Sequence, residues 1–187
     1  MLKIITGTAK GRKIETLEGD ATRPTSQRIK EALFSAIQFD IENRRVLDLF
    51  AGSGQLGLEA MSRGAASVTF VDMSRESIDI VKKNAKCTGF FDFCKYLVAD
   101  YRNYIRKASG GAKYDLVFID PPYSMKACED ALTRLRDAGL LANGAIVALE
   151  SGEEKISAEI SGFEILKSTN YGKMSALNIF LYREGEQ

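Results

Sequence analysis

The chain has 187 residues, of which 45% are apolar and 27% are charged, a composition that is typical of one folded domain and excludes an intrinsically disordered chain. It contains no histidine, which excludes Ser-His and Cys-His nucleophile pairs, histidine general bases and histidine-containing zinc sites. The formal net charge is only +1, but residues 1–30 carry seven Lys or Arg against three acids. A basic N-terminal segment therefore precedes a mildly acidic body.

The cysteines and the apolar runs narrow the class of protein further. The three cysteines are too widely spaced for a CxxC-type zinc or redox pair, so we expect reduced thiols and no bound metal. No apolar stretch approaches the roughly 20 residues that cross a bilayer, and the first residues lack the pattern of a signal peptide. We therefore expect a cytoplasmic protein that does not associate with a membrane.

The N-terminal part of the chain predicts a β-hairpin followed by one amphipathic helix. Leu2–Thr6 and Arg12–Thr16 are short β-prone runs, joined by a polar turn that contains two glycines. In the helix that follows, Lys30 lies outside an apolar stripe with four-residue spacing, which consists of Ile29, Leu33 and Ile37. We expect residues 1–40 to form an extension of the main domain, which comprises residues 41–187.

From residue 45 onward, apolar runs alternate with amphipathic stretches of helical length. This alternation predicts βαβ units and a doubly wound, Rossmann-like α/β fold, with strands at 46–50, 67–72, 95–100, 114–120 and 145–150. Two further strand-like segments, Phe163–Asn170 and Ala176–Tyr182, are separated by only five residues. Because such a connection is too short for a parallel crossover, we predict antiparallel neighbours and one reversed strand that closes the sheet.

A glycine-rich turn follows the first strand of this pattern. Gly52, Gly54 and Gly57 satisfy GxGxxG between a strand and a helix, where glycines allow a tight turn and close approach of a ligand to the helix N-terminus. Asp72 ends the next strand, 20 residues after Gly52, where a carboxylate can accept both ribose hydroxyls of a nucleoside cofactor. These features alone fit either a dinucleotide or S-adenosylmethionine (SAM).

Acidic residues end four successive strands. In an open α/β sheet, ligands bind beyond the carboxyl ends of the strands, so these acids mark one functional edge: Asp48, Asp72, Asp100 and Asp120. For Asp100, which is followed by Tyr101 and Arg102, capping of the next helix explains the carboxylate equally well.

The sequence Asp120-Pro121-Pro122-Tyr123 directly follows a buried strand. The prolines stop the strand, fix φ and leave rigid carbonyl groups. A carboxylate and a rigid carbonyl held together can accept both hydrogens of an –NH2 group, and a tyrosine ring can stack on a planar base. This motif therefore predicts a site that grips an amino group on a planar substrate.

Taken in this order, LDLFAGSG, Asp72, Asp100 and DPPY resemble the class I SAM-dependent methyltransferases that act on exocyclic amino nitrogens. Over nearly the full length, the chain is similar to the bacterial 16S rRNA (guanine-966-N2)-methyltransferase family, RsmD-like, through Gly11-Arg12-Lys13, Arg23-Pro24-Thr25, RIKEALF (28–34) and LGLEAMSRGA (56–65). The resemblance implies a seven-stranded sheet with the last strand reversed, SAM as cofactor and transfer of a methyl group to the exocyclic N2 of a guanine. It also implies 16S rRNA as partner. The slight net charge favours weak binding to free RNA, so we expect the substrate to lie within the small ribosomal subunit or an assembly intermediate.

On this reading, each motif receives a role. Asp120 and the Pro121 carbonyl accept from the amine, in a rigid turn completed by Pro122, and Tyr123 stacks on the base. The residues expected around SAM are Asp48, Phe50, Gly52, Gly54, Asp72, Met73 and Asp100, and the resemblance adds Arg23 and Thr25, in a segment that closes over the methionine end. Asp48 orients either the turn or the methionine ammonium group. The expected phosphate contacts are Lys10, Arg12, Lys13, Arg28 and Lys173, for which a solvated surface is the alternative.

Other functions fit parts of the same pattern. The proline turn also suits an N6-adenine methyltransferase on RNA or DNA and a protein glutamine N5-methyltransferase, because both act on a planar –NH2 group. A NAD-dependent oxidoreductase would share GxGxxG but would leave DPPY without a role, and a non-catalytic RNA-binding module on this fold is a further alternative. Nothing in the pattern requires an oligomer, so we expect a monomer.

Overall fold

The computed structural model describes residues 2–17, 24–157, 159–172 and 175–185. Within these residues the chain forms nine β-strands and five α-helices. The elements are, in chain order, β1 (Leu2–Lys3), β2 (Lys13–Ile14), α1 (Pro24–Ala36), β3 (Arg45–Asp48), α2 (Gln55–Ser62), β4 (Ser67–Asp72), α3 (Arg75–Thr88), β5 (Cys94–Val98), α4 (Tyr101–Ala108), β6 (Tyr114–Ile119), α5 (Cys128–Asp137), β7 (Leu141–Ser151), β8 (Phe163–Asn170) and β9 (Ala176–Tyr182). In this part of the chain, no helix is both long enough and apolar enough to span a membrane.

The main sheet has seven strands in the order β5-β4-β3-β6-β7-β9-β8. The neighbours from β5 to β7 are parallel, whereas β9 runs antiparallel to both β7 and β8. The predicted doubly wound α/β fold with a reversed last strand is therefore confirmed. The reversed strand lies inside the sheet, and β8, which runs parallel to β7, forms the edge.

Helices cover both faces of this sheet. The central strands β3 and β6 are buried on both sides, as expected for parallel strands between helical layers. One apolar core lies between the sheet and α1, α2 and α3, and includes Phe34, Leu58, Phe70 and Phe118. A second core lies on the face of α4 and α5, and includes Leu47, Ile105, Val117 and Leu132. The strand order reverses between β3 and β6, so a crevice opens at their carboxyl ends.

The N-terminal extension shares the first of these cores. The predicted hairpin forms, but its paired strands are only two residues long, because the backbone N–H groups of Ile5 and Thr6 donate to the Glu59 carboxylate of α2. The predicted stripe of α1 is buried and confirmed. The position of Lys30 outside the stripe does not expose it, since its side chain is 4% exposed and pairs with Glu59.

Candidate active site

A cleft of about 580 Å³ opens at the carboxyl edge of the sheet. Nine of the residues predicted for the cofactor and for catalysis line it together: Asp48, Phe50, Gly52, Asp72, Met73, Asp100, Asp120, Pro121 and Pro122. They come from the ends of four successive strands, so the sheet topology brings them to one place. Gly54 lies directly behind this lining, at the N-cap of α2.

The glycine turn has the conformation that its sequence predicts. Gly52 and Gly54 have φ values of 50° and 78°, a left-handed region that side chains rarely adopt. Gly57 lies within α2, where a Cβ atom would come within 2.4 Å of the Phe70 ring. The first two glycines therefore shape the turn, and the third lets α2 pack against β4.

Asp72 ties the end of β4 to the glycine turn. Its Oδ2 accepts from the backbone N–H of Gly52 at 2.9 Å, and its Oδ1 accepts from the N–H of Ser74 at 2.8 Å. A carboxylate has about four acceptor positions on its two oxygens, so these two bonds leave capacity for hydroxyl donors. The bond to Gly52 fixes this carboxylate beside the turn that borders the cleft.

Asp48 is the most deeply buried acid of the cleft. It is 1% exposed, and its Oδ2 accepts from the N–H of Gly57 at 3.0 Å, which ties the end of β3 to α2. Burial raises the pKa of this carboxyl group to about 7, against the opposing effect of the Gly57 hydrogen bond. Of the two roles considered for Asp48, orientation of the turn is therefore supported by a direct hydrogen bond.

Asp100 caps a helix and also borders the cleft. Its Oδ1 accepts from the N–H groups of Arg102 and Asn103, the hydrogen bonds expected of an N-cap at the start of α4. Next to it, the Tyr101 ring packs 5.1 Å from the ring of Phe50. Met73 is 66% exposed, which places it at the rim of the cleft and not in the core.

The proline turn follows β6 and lines the cleft on the other side of β3 from Asp72. Pro121 is buried and Pro122 is exposed. The Pro122 carbonyl accepts from the N–H of Met125 at 2.8 Å, which closes a short 3₁₀ turn before α5. The start of α5 is fixed by Glu154, whose two carboxylate oxygens accept from the first backbone N–H groups of that helix. The turn is therefore held at both ends.

Several residues that line the cleft were missed by sequence reasoning. They are Leu2, Thr16, Leu17, Gln55, Leu56, Ser74, Tyr101 and Glu150, among others. Glu150 lies at the end of β7, so the rule that identified acids at four strand ends would have found it on the fifth. Leu2, Thr16 and Leu17 have no comparable signal in the sequence, because contacts with distant parts of the chain bring them to the cleft.

Asn84 provides one of these distant contacts. Its side chain is 2% exposed, accepts from the N–H of Glu15 at 2.9 Å and donates to the carbonyl of Glu15 at 3.0 Å. The same amide donates to the carbonyl of Ser53 in the glycine turn at 2.9 Å. Asn84 therefore links the turn to the segment that carries Thr16 and Leu17 into the cleft wall.

Glu59 anchors the rest of the extension. Besides the N–H groups of Ile5 and Thr6, this fully buried carboxylate contacts Lys30 at 3.3 Å and Arg63 at 2.9 Å. Burial lowers the pKa of the Lys30 ammonium group, although the nearby carboxylate acts in the opposite direction. The hairpin and α1 are thus fastened to α2 by one charged network.

Of the residues predicted to contact phosphates, the four that the structure describes do not line the cleft. Lys10, Arg12, Lys13 and Arg28 are exposed. The hairpin tip packs at the C-terminal end of α2, where Thr8 N–H donates to the Ser62 carbonyl. The eight residues of α2 separate the tip from the glycine turn by about 12 Å.

Four predicted residues cannot be placed in the site. Arg23 and Lys173 lie outside the described residues. The side chains of Thr25 and Tyr123 are also outside the described part of the structure.

The fold and the cleft define a class of protein. The sheet is doubly wound, with a glycine turn after β3, an acid at the end of β4 and Asp-Pro-Pro after β6. This is the arrangement of a Rossmann-like, SAM-dependent methyltransferase. SAM is the cofactor of this class.

Comparison with known proteins gives the family. Residues 2–180 match the family described as "Conserved hypothetical protein 95", and the chain belongs to this family. It is 31% identical over 177 residues to "Ribosomal RNA small subunit methyltransferase D" of Haemophilus influenzae, covering 93% of this chain and 91% of that protein. It is 35% identical over 153 residues to the protein of the same name in Escherichia coli, covering 82% and 76% of the two chains. The solved structure of yhhF from Escherichia coli superposes with a TM-score of 0.86 at 30% identity, over 98% of this chain and 99% of that one.

Proposed function

We propose that the protein transfers a methyl group from SAM to the exocyclic N2 of a guanine in the 16S rRNA of the small ribosomal subunit. The observation that carries this proposal is that Asp120-Pro121-Pro122 lines the same cleft as the glycine turn and Asp72. An amine held at the proline turn would therefore lie across one cavity from the cofactor. The names of the relatives from Haemophilus influenzae and Escherichia coli support ribosomal RNA of the small subunit as the substrate.

The chemical difficulty lies in the acceptor nitrogen. The lone pair of guanine N2 is delocalised into the ring, so the amine must be held and polarised. Asp120 and the Pro121 carbonyl accept its two hydrogens, and Tyr123 stacks on the base. SAM would supply the methyl group on a sulfonium centre and would leave as S-adenosylhomocysteine. The nitrogen would lose one proton when the nitrogen–carbon bond forms, and the Asp120 carboxylate would accept that proton or pass it to solvent. Positioning provides most of the acceleration, which suits a chain without histidine.

The cofactor half of the cleft receives the remaining assignments. Asp72 accepts from the ribose hydroxyls, Asp100 accepts from the adenine amine, and Gly52 and Gly54 let the chain pass close to the methionine and ribose. Phe50 and Met73 supply apolar contacts. Arg23 and Thr25 close over the methionine end.

RNA binding uses a second set of residues. Lys10, Arg12, Lys13, Arg28 and Lys173 contact phosphates, and the target guanine is unpaired or flipped into the cleft. The exposed hairpin tip, about 12 Å of helix from the glycine turn, would then contact RNA away from the modified base. We further propose that the protein acts as a cytoplasmic monomer on the small subunit or an assembly intermediate, with residues 41–187 as its catalytic domain.

Product analysis tests this proposal against its alternatives. The protein is incubated with SAM carrying a labelled methyl group and with small subunits that lack the modification, and the labelled nucleoside is identified by chromatography and mass. We expect N2-methylguanosine, and we expect Asp120→Ala to abolish it. Label in N6-methyladenosine or in protein glutamine would overturn the choice of substrate, and RNA binding without any transfer would favour the non-catalytic module.

A further inference from the structure

Glu150 lies beside Asp120 in the cleft. The last paired residues of β6 and β7 are Ile119 and Leu149, so the next positions, Asp120 and Glu150, match across neighbouring parallel strands. Adjacent strands are about 4.8 Å apart. Both residues are half-buried, and both line the main cleft as well as a small neighbouring cavity of about 20 Å³ beneath α1. The cleft therefore presents two acidic side chains, side by side, on its acceptor wall.

This pair matches one purine better than the other. Guanine presents two adjacent donors on one edge, the N1–H group and the N2 amine, and an ionised carboxylate only accepts hydrogen bonds. Adenine presents an amine beside N1, which carries a lone pair and no hydrogen. A second carboxylate next to Asp120 would therefore gain a hydrogen bond from guanine and face a lone pair of adenine.

We propose that Glu150 selects guanine by accepting a hydrogen bond from its N1–H group while Asp120 accepts from the N2 amine. The inference rests on the proposed function and names the residue that gives this cleft its base specificity. A carboxylate offers about four acceptor positions, so Glu150 can accept from the base edge in addition to its contacts within the protein. A site that hydrogen-bonds a polar group rejects analogues without it, because its own polar groups are then left unpaired.

The first test compares Glu150→Gln with wild type on small subunits that lack the modification. The amide keeps the shape of the side chain but replaces a charge-assisted hydrogen bond, so we expect kcat/KM to fall about tenfold. Affinity for S-adenosylhomocysteine should stay within about twofold of wild type. The control is Glu153→Gln, an exposed position that does not line the cleft, and it should retain full activity.

The second test changes the base instead of the protein. Small subunits are reconstituted with 2-aminopurine at the modified guanine, which keeps the 2-amino group but replaces N1–H with a lone pair. Wild type should prefer guanine over 2-aminopurine by about a hundredfold, and Glu150→Gln should reduce that preference to below about tenfold, because its amide can donate to N1. A purely structural role of Glu150 would lower both activities equally.

The outcomes separate the two proposals. If wild type labels no guanine N2, the proposed function fails and the inference falls with it. If wild type forms N2-methylguanosine but Glu150→Gln leaves both the rate and the preference over 2-aminopurine unchanged, only the role of Glu150 is overturned.

Discussion

The glycine-turn loop and the N-terminal segment border the same cleft, but different kinds of contact hold them in place. The loop is held by carboxylates at the ends of the neighbouring strands β3 and β4, through the bonds of Asp48 to Gly57 and of Asp72 to Gly52. The N-terminal segment is held by side chains 50 to 70 residues away in the chain, namely Glu59 and Asn84. The glycine-turn loop is thus held by residues at adjacent strand ends, whereas the cleft wall beside it depends on long-range contacts that can be removed separately.

Of the long-range contacts, removal of Glu59 should lower the stability of the protein most. Glu59→Ala leaves Lys30 buried without its carboxylate and deprives two backbone N–H groups of their acceptor. We expect the free energy of unfolding to fall by about 3–5 kcal/mol, measured by urea denaturation. Glu76→Ala, at an exposed position of α3, should cost less than about 1 kcal/mol. Equal losses in the two variants would show that the network does not anchor the extension.

The buried Asp48 should make stability depend on pH. Its pKa is raised to about 7, mainly by burial, so the folded protein binds more protons than the unfolded chain between about pH 4 and pH 7. Its contribution to stability is therefore complete below about pH 4 and is lost as the pH rises through 7, by about 4 kcal/mol. Asp48→Asn should remove this decrease, and no histidine titrates in the same window. An unchanged pH profile in the variant would contradict the assignment.

A substitution at Gly57 tests the packing of α2 against β4 beside the glycine turn. A methyl group there meets the Phe70 ring at 2.4 Å, so Gly57→Ala should cost about 1–3 kcal/mol although alanine favours helix. The comparison variant is Gly11→Ala in the hairpin tip, where φ is 81° but no neighbouring atom lies within 4 Å of the new Cβ. It should lose about 1 kcal/mol from backbone strain alone. Comparison of the two losses of stability in thermal unfolding separates the effect of steric overlap with Phe70 from the effect of backbone strain.

Asn84 tests whether the N-terminal segment contributes to cofactor binding. Asn84→Ala removes its bonds to Glu15 and Ser53, so the cleft wall next to Thr16 loses its support. We expect affinity for S-adenosylhomocysteine to fall about tenfold in calorimetry, which is about 1.4 kcal/mol. Asn103→Ala, on the exposed face of α4, should bind as wild type does. Unchanged binding by Asn84→Ala would show that the N-terminal segment does not contribute to the cofactor site.

The same contrast between local and long-range contacts explains which features of the structure could be predicted from the sequence. The sheet and the glycine turn could be predicted because their signals are short patterns. The apolar strands, GxGxxG and Asp72 make their contacts with residues that are close in the chain or on an adjacent strand. The last two strands were predicted with their observed bounds because their apolar runs and short connection leave one arrangement. The burial of Lys30 was missed, because helical periodicity identifies a polar residue but not a distant carboxylate that pairs with it.

We propose that one cleft holds the cofactor on its Asp72 side and the acceptor amine on its Asp120 side. The most direct measurement compares Asp72→Ala and Asp120→Ala for S-adenosylhomocysteine binding and for methyl transfer to small subunits. We expect Asp120→Ala to bind within about threefold of wild type while its turnover falls about a thousandfold, and Asp72→Ala to lose binding itself. Loss of S-adenosylhomocysteine affinity in Asp120→Ala, as in Asp72→Ala, or turnover retained by Asp120→Ala, would contradict this division of the cleft.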